Sequence, residues 1–68
     1  MMIYLNGDIH DDGAGRTVVD ALELLHLAPD ARGVAVAVNG EVVPRGGWGT
    51  FAIPEGARVE VLTAMQGG

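Results

Sequence analysis

The chain has no cysteine, no serine and no lysine. Without cysteine there is no disulfide framework, no zinc knuckle and no thiol nucleophile. Without serine the commonest oxygen nucleophile is gone. Without lysine, Arg16, Arg32, Arg45 and Arg58 are the only permanent cations among the side chains. A formal net charge of -5 argues against a nucleic-acid partner, because phosphate binding needs basic density. It suits a partner with a basic docking surface, where complementary fields speed encounter. No apolar run approaches the ~20 residues that span a bilayer. The opening "MMIYLNGD" also lacks the basic start and long apolar stretch of a signal peptide. The expectation is a soluble, cytoplasmic protein that engages neither nucleic acid nor membrane.

What is present is enough for one small domain. Apolar residues make up 49% of the 68 positions and are spread along the chain. That favours a compact globule over a disordered segment. A chain of this length buries only about 60% of its unfolded surface, so the core must be economical.

Residues 1–5 alternate as a strand, with Met1, Ile3 and Leu5 on one face and Met2 and Tyr4 on the other. Asn6-Gly7 is a strong hairpin signal, since both residues tolerate positive φ. A polar, acidic strand over 8–12 then returns as an edge. "GAGRTVVDALELLHLAP" predicts a helix, with Thr17 as N-cap and Asp20 three residues on in a variant of the capping box. Val18, Ala21, Leu22 and Leu25 form its apolar stripe, widened by Leu24, Leu27 and Ala28, and Pro29 closes it. "GVAVAVNGEVVP" predicts a second hairpin that turns at Asn39-Gly40. Its first strand, Val34 to Val38, reads as central and buried on both faces. In "RGGWGTFAIPEG", Trp48 and Phe51 should plug one end of the core beneath an irregular loop. Arg58 to Thr63 alternate as the last strand, with Val59 and Val61 on one face and Leu62 on the other. The order predicts an α+β fold in which one helix packs across a mixed sheet of about five strands. The first and last strands should be parallel neighbours. The domain covers 1–63, and 64–68 form a flexible tail.

Side-chain chemistry is sparse. Gly13 to Gly15 before a helix lack the third glycine and the βαβ unit of a dinucleotide site, and read as a plain loop. Asp8, His10, Asp11 and Asp12 lack calcium-loop spacing and read as solvated carboxylates, so no metal site is expected. His26 near the helix end has no partner that suggests catalysis. Thr17, Thr50 and Thr63 have no base to activate them. Covalent catalysis by a side chain is therefore hard to build.

The remaining reactive group is the terminal carboxylate behind "AMQGG". Glycine has no Cβ, so Gly67 and Gly68 can thread a channel too narrow for other residues and lay the carboxylate against a nucleotide. A carboxylate is a poor electrophile until it becomes a mixed anhydride with AMP. A sulfur nucleophile could then displace the AMP.

The stretches "MIYLNG", "GRTVVDALELL", "VAVNGEVVPRGGW" and "IPEGARVEVLTAMQGG" come in the same order as in a known family and cover nearly the whole chain. Together they resemble the ThiS family, the ubiquitin-like sulfur carriers of thiamine thiazole biosynthesis. The specific part is "VNGEVVPR" and a following tryptophan, combined with Gly-Gly one strand later. The resemblance implies a ubiquitin-like β-grasp fold and a protein co-substrate in place of an enzyme. A ThiF-like adenylyltransferase would use ATP to adenylate the carboxylate of Gly68, the residue that follows Gly67. Sulfur from a cysteine desulfurase pathway would give a C-terminal thiocarboxylate, and thiazole synthase would accept that sulfur. No cofactor would be bound permanently, and the apolar sheet surface beside the tail would be the docking face. The loop "RGGWGTF" is richer in glycine than that family's loop. Three other readings stay open at this point. One is the small subunit of molybdopterin synthase, and another is a ubiquitin-like protein modifier. The third is a β-grasp interaction module whose tail has no chemistry.

Overall fold

A computed structural model describes residues 2–11, 16–28 and 30–64. Five strands and a helix follow in the order β1 (Ile3–Leu5), β2 (Asp8–His10), α1 (Val18–Leu24), β3 (Val34–Val38), β4 (Glu41–Val43) and β5 (Arg58–Thr63). The strands form one sheet in the order β2-β1-β5-β3-β4. The expected hairpins are present: β1 pairs antiparallel with β2, and β3 with β4. The expected parallel pair is also present, with Tyr4 opposite Arg58 and Leu5 opposite Val59.

The short helix is defined at both ends by local hydrogen bonds. Thr17 is extended (φ -88°, ψ 171°), and its hydroxyl accepts from the Asp20 N–H. The Asp20 carboxylate in turn accepts from the Thr17 N–H at 2.9 Å. This reciprocal pair satisfies two donors that the first turn leaves without helical partners. At the other end, the helix stops earlier than the sequence suggests. It was expected to continue through Leu27 and Ala28 to Pro29, but Leu25 is already the C-cap. His26 turns left-handed with φ 60°. The His26 N–H donates to Glu23 O at 3.0 Å, and the Leu27 N–H to Leu22 O at 2.9 Å. These are the two bonds of a Schellman motif, usually built with glycine at the left-handed position. Histidine tolerates that region better than most side chains, so the stop carried no glycine to reveal it. Ala28 is exposed in consequence, and Pro29 lies outside the described residues.

The helix covers one face of the sheet. Val18, Ala21 and Leu22 pack against Ile3, Leu5, Val36, Val38, Val59 and Val61, and no polar or charged residue is buried among the described residues. Trp48 fills the end of this core as expected, and its indole N–H donates to Val43 O at 2.9 Å. The glycine-rich loop before it includes a 3-10 turn at Arg45–Gly47. The Arg45 guanidinium lies 4.7 Å from the centre of the Trp48 ring. The same side chain donates to Ala31 O at 2.6 Å. Further along, Trp48 O accepts from Val19 N–H, and Ile53 N–H donates to Arg16 O. The loop is thereby stitched to the start of the helix.

One expectation is corrected by the sheet order. The strand of Val34 to Val38 is neither central nor buried on both faces. The centre belongs to β5, and β3 lies between β5 and β4. Its burial alternates, with Val36 and Val38 buried, Ala35 exposed and Ala37 half-buried. A single helix of seven residues can cover only one face. The run "VAVAV" is thus a period of large-in and small-out, written in size and not in polarity. The second strand is also shorter than expected, ending at His10 and not at residue 12.

Candidate functional site

The candidate site residues Gly67 and Gly68 lie outside the described residues, as do Met65 and Gln66. What the structure defines is the base from which they leave and the surface beside it. Strand β5 runs outward at the centre of the sheet. On one side β3 pairs with it from Val38 opposite Val59 to Val34 opposite Thr63. One residue further, the Ala64 N–H donates to Gly33 O at 2.6 Å. Gly33 has φ +68°, and a Cβ there would sit 3.3 Å from the Ala64 Cβ. Glycine thus allows both the turn and the close approach.

On the other side, β1 reaches only as far as Leu5 opposite Val59. Asn6 then continues the ladder. Its N–H donates to Val59 O at 2.9 Å. Its side-chain Nδ2 donates to Val61 O at 3.2 Å, and its Oδ1 accepts from the Val61 N–H at 2.8 Å. The amide group stands in for the next peptide of a strand that has already turned away. In the sequence Asn6 reads only as a hairpin residue. Its bonds to a residue 55 positions away are a tertiary fact.

The sheet face away from the helix carries a row of exposed apolar side chains. Tyr4, Ile9, Val42 and Leu62 are all exposed, the last two 69%. Leu62 lies opposite the small Ala35, and Val42 opposite Ala37. A shallow groove runs along β5 on this face, lined in part by Tyr4, Arg58, Glu60 and Leu62. Large exposed side chains next to alanines, with two opposite charges in the same row, form a surface suited to protein contact. Leu62 stands two residues from Ala64, so this face adjoins the base of the tail.

Among the described residues, no cluster of three or more His, Asp or Glu side chains could hold a metal ion. Asp8, His10 and Asp11 are not brought into one, and Asp12 and Gly13 to Gly15 lie outside the described residues. Thr17 is used as a helix cap, and the Thr50 hydroxyl bonds to Gly47 O. No helix among them is long and apolar enough to cross a membrane.

Residues 2–68 match the model of the ThiS family. The chain belongs to the ThiS family. Among curated ThiS-family relatives, the sulfur carrier protein ThiS of Escherichia coli is 33% identical over 68 residues, the full length of both chains. A thiazole synthase of Magnetococcus marinus is 40% identical over the same 68 residues, and this chain spans only 20% of its length. The fold agrees as well. The crystal structure of the thiamine biosynthesis protein ThiS from Geobacter metallireducens superimposes with a TM-score of 0.76 at 36% identity, covering both chains fully. A solution structure of a thiamine biosynthesis protein from that organism gives 0.77 and covers 88% of that chain. One helix on a mixed five-stranded sheet is thus the ThiS form of the ubiquitin-like β-grasp.

Proposed function

We propose that this ThiS-family protein is a sulfur carrier of thiamine biosynthesis whose working group is the carboxylate of Gly68. It is a co-substrate and not a catalyst. In the first step the carboxylate attacks the α-phosphate of ATP on a ThiF-like adenylyltransferase, forming an acyl-adenylate and releasing pyrophosphate. A persulfide supplied by a cysteine desulfurase pathway then attacks the acyl carbon and AMP leaves, and a thiol cleaves the resulting acyl disulfide, itself ending in a disulfide. The product is a C-terminal thiocarboxylate. Thiazole synthase takes the sulfur, and an oxygen from water or from the acceptor replaces it to regenerate the carboxylate. ATP belongs to the activating enzyme, and the carrier holds no permanent cofactor. The need for ATP and for a desulfurase assigns the reaction to the cytoplasm.

The observation that carries this reading is that the family match runs through residue 68 and so takes in the Gly-Gly. The chain also offers no serine, cysteine or lysine as a rival group. The thiazole branch is favoured over molybdopterin synthesis by the likeness to part of a thiazole synthase. Ordering a chain segment inside an enzyme costs roughly 1–2 kcal/mol of backbone entropy per residue. A partner that must bind, react and release can use such an offset. The exposed row of Tyr4, Val42 and Leu62 is the docking face, and the net charge of -5 suits a basic rim on the partner.

Intact-mass analysis of the protein from cells with the sulfur pathway active tests the reading directly. One sulfur in place of one terminal oxygen is expected. Deleting Gly68 should abolish ATP-dependent activation and leave the circular dichroism spectrum unchanged. Activation of the truncated chain would overturn the proposal. Supplying the thiocarboxylate to purified thiazole synthase and to molybdopterin synthase large subunit separates the two pathways.

A further inference from the structure

Given the carrier reading above, we infer that Asn6 is a positioning residue. Its side-chain amide keeps the end of β5 ordered, so that the tail is presented to the activating enzyme from a fixed base. Strand β1 stops pairing at Val59, which would leave one edge of β5 bare from Val61 onward. The Asn6 amide closes that gap by donating to Val61 O and accepting from Val61 N–H. At Val61 the strand therefore has β3 on one side and the Asn6 amide on the other, whereas among the described residues Leu62, Thr63 and Ala64 have β3 and Gly33 on one side only. Without the amide, the doubly held part of β5 would retreat to Val59. Leu62 to Ala64 would then be less firmly ordered, and an enzyme would have to order them before the carboxylate reached ATP. The chemistry at Gly68, once seated, would be the same. The loss therefore falls on KM and spares kcat.

The fold contains its own control. Asn39 opens the other Asn-Gly turn with nearly the same backbone, φ 52° against 51° for Asn6. It also holds β5, with its Oδ1 accepting from the Arg58 N–H at 2.9 Å. That bond lies at the start of the strand, far along the chain from the tail. Replacing either asparagine by glycine keeps the left-handed turn and removes the side-chain clamp.

The test measures pyrophosphate release by the cognate adenylyltransferase as carrier concentration is varied, for the full chain and for Asn6→Gly and Asn39→Gly. Amide hydrogen exchange of the free proteins is followed in parallel. Asn6→Gly is expected to raise KM about tenfold, leave kcat within about twofold, and speed exchange at Leu62, Thr63 and Ala64. Asn39→Gly should leave KM and those amides close to the parent. If Asn6→Gly does not fold, Asn6→Asp serves, because it keeps the turn and the acceptor but sets an oxygen against Val61 O. An equal rise in KM for both glycine variants would overturn the inference, as would an unchanged KM for Asn6→Gly. If the parent chain itself releases no pyrophosphate, the carrier reading has failed. The exchange comparison then decides by itself whether Asn6 orders the end of β5.

Discussion

Gly33 and Ala64 meet at the base of the tail: the carbonyl of one accepts the N–H of the other at 2.6 Å, and their side-chain positions nearly touch. A methyl group at Gly33 would meet both a left-handed backbone and a contact of 3.3 Å. Gly33→Ala should therefore lower stability by about 1–2 kcal/mol. Urea denaturation followed by circular dichroism measures this. An unchanged midpoint would mean that the turn can rearrange without loss.

Trp48 is the second place where one bond closes the core. Its ring is buried, and its N–H satisfies the Val43 carbonyl where β4 ends. Trp48→Phe removes the donor and some volume, and should destabilise by about 1–3 kcal/mol. Trp48→Ala should cost about 3–5 kcal/mol, a large part of what a domain this small possesses. A cooperative melt for Trp48→Phe, with most of the native signal lost for Trp48→Ala, is the expected pair of results.

His26 holds the left-handed position of the Schellman motif with φ 60°. Glycine suits that position better, and the His26 side chain is exposed. His26→Gly should raise stability by about 0.5–1 kcal/mol. A fall in the melting temperature would show that the imidazole contributes contacts of its own.

Leu62 tests the open sheet face. It is 69% exposed and contributes nothing to the core. Leu62→Glu should change stability by no more than about 0.5 kcal/mol. At a docking face the same change should weaken association with the adenylyltransferase or thiazole synthase about tenfold. Isothermal titration with each enzyme would check it. Unaltered affinity for both would remove this face from the docking surface.

Much of the architecture could be read directly. Alternation identified Arg58 to Thr63 and its two faces, and the asparagine-glycine pairs located both hairpin turns. Thr17 and Asp20 announced the start of the helix. The end was hidden because His26 occupies a position where glycine is the usual signal. The outer face was hidden for another reason. Valine alternating with alanine in β3 keeps a period of two in size but shows none in polarity, so a strand open on one side resembled one buried on both.

By itself the sequence determined the order of the elements and most of their starts. Their residues carry their own turn and cap signals, and the absence of serine, cysteine and lysine narrows the side-chain chemistry that the chain can offer. Only the tertiary structure decided which strand takes the centre and what secures the base of the tail. Sheet order depends on which edges meet once the helix has covered one face. The Asn6 amide reaches Val61 only because the chain brings the first strand beside the last. No local pattern encodes a hydrogen bond between residues 55 apart.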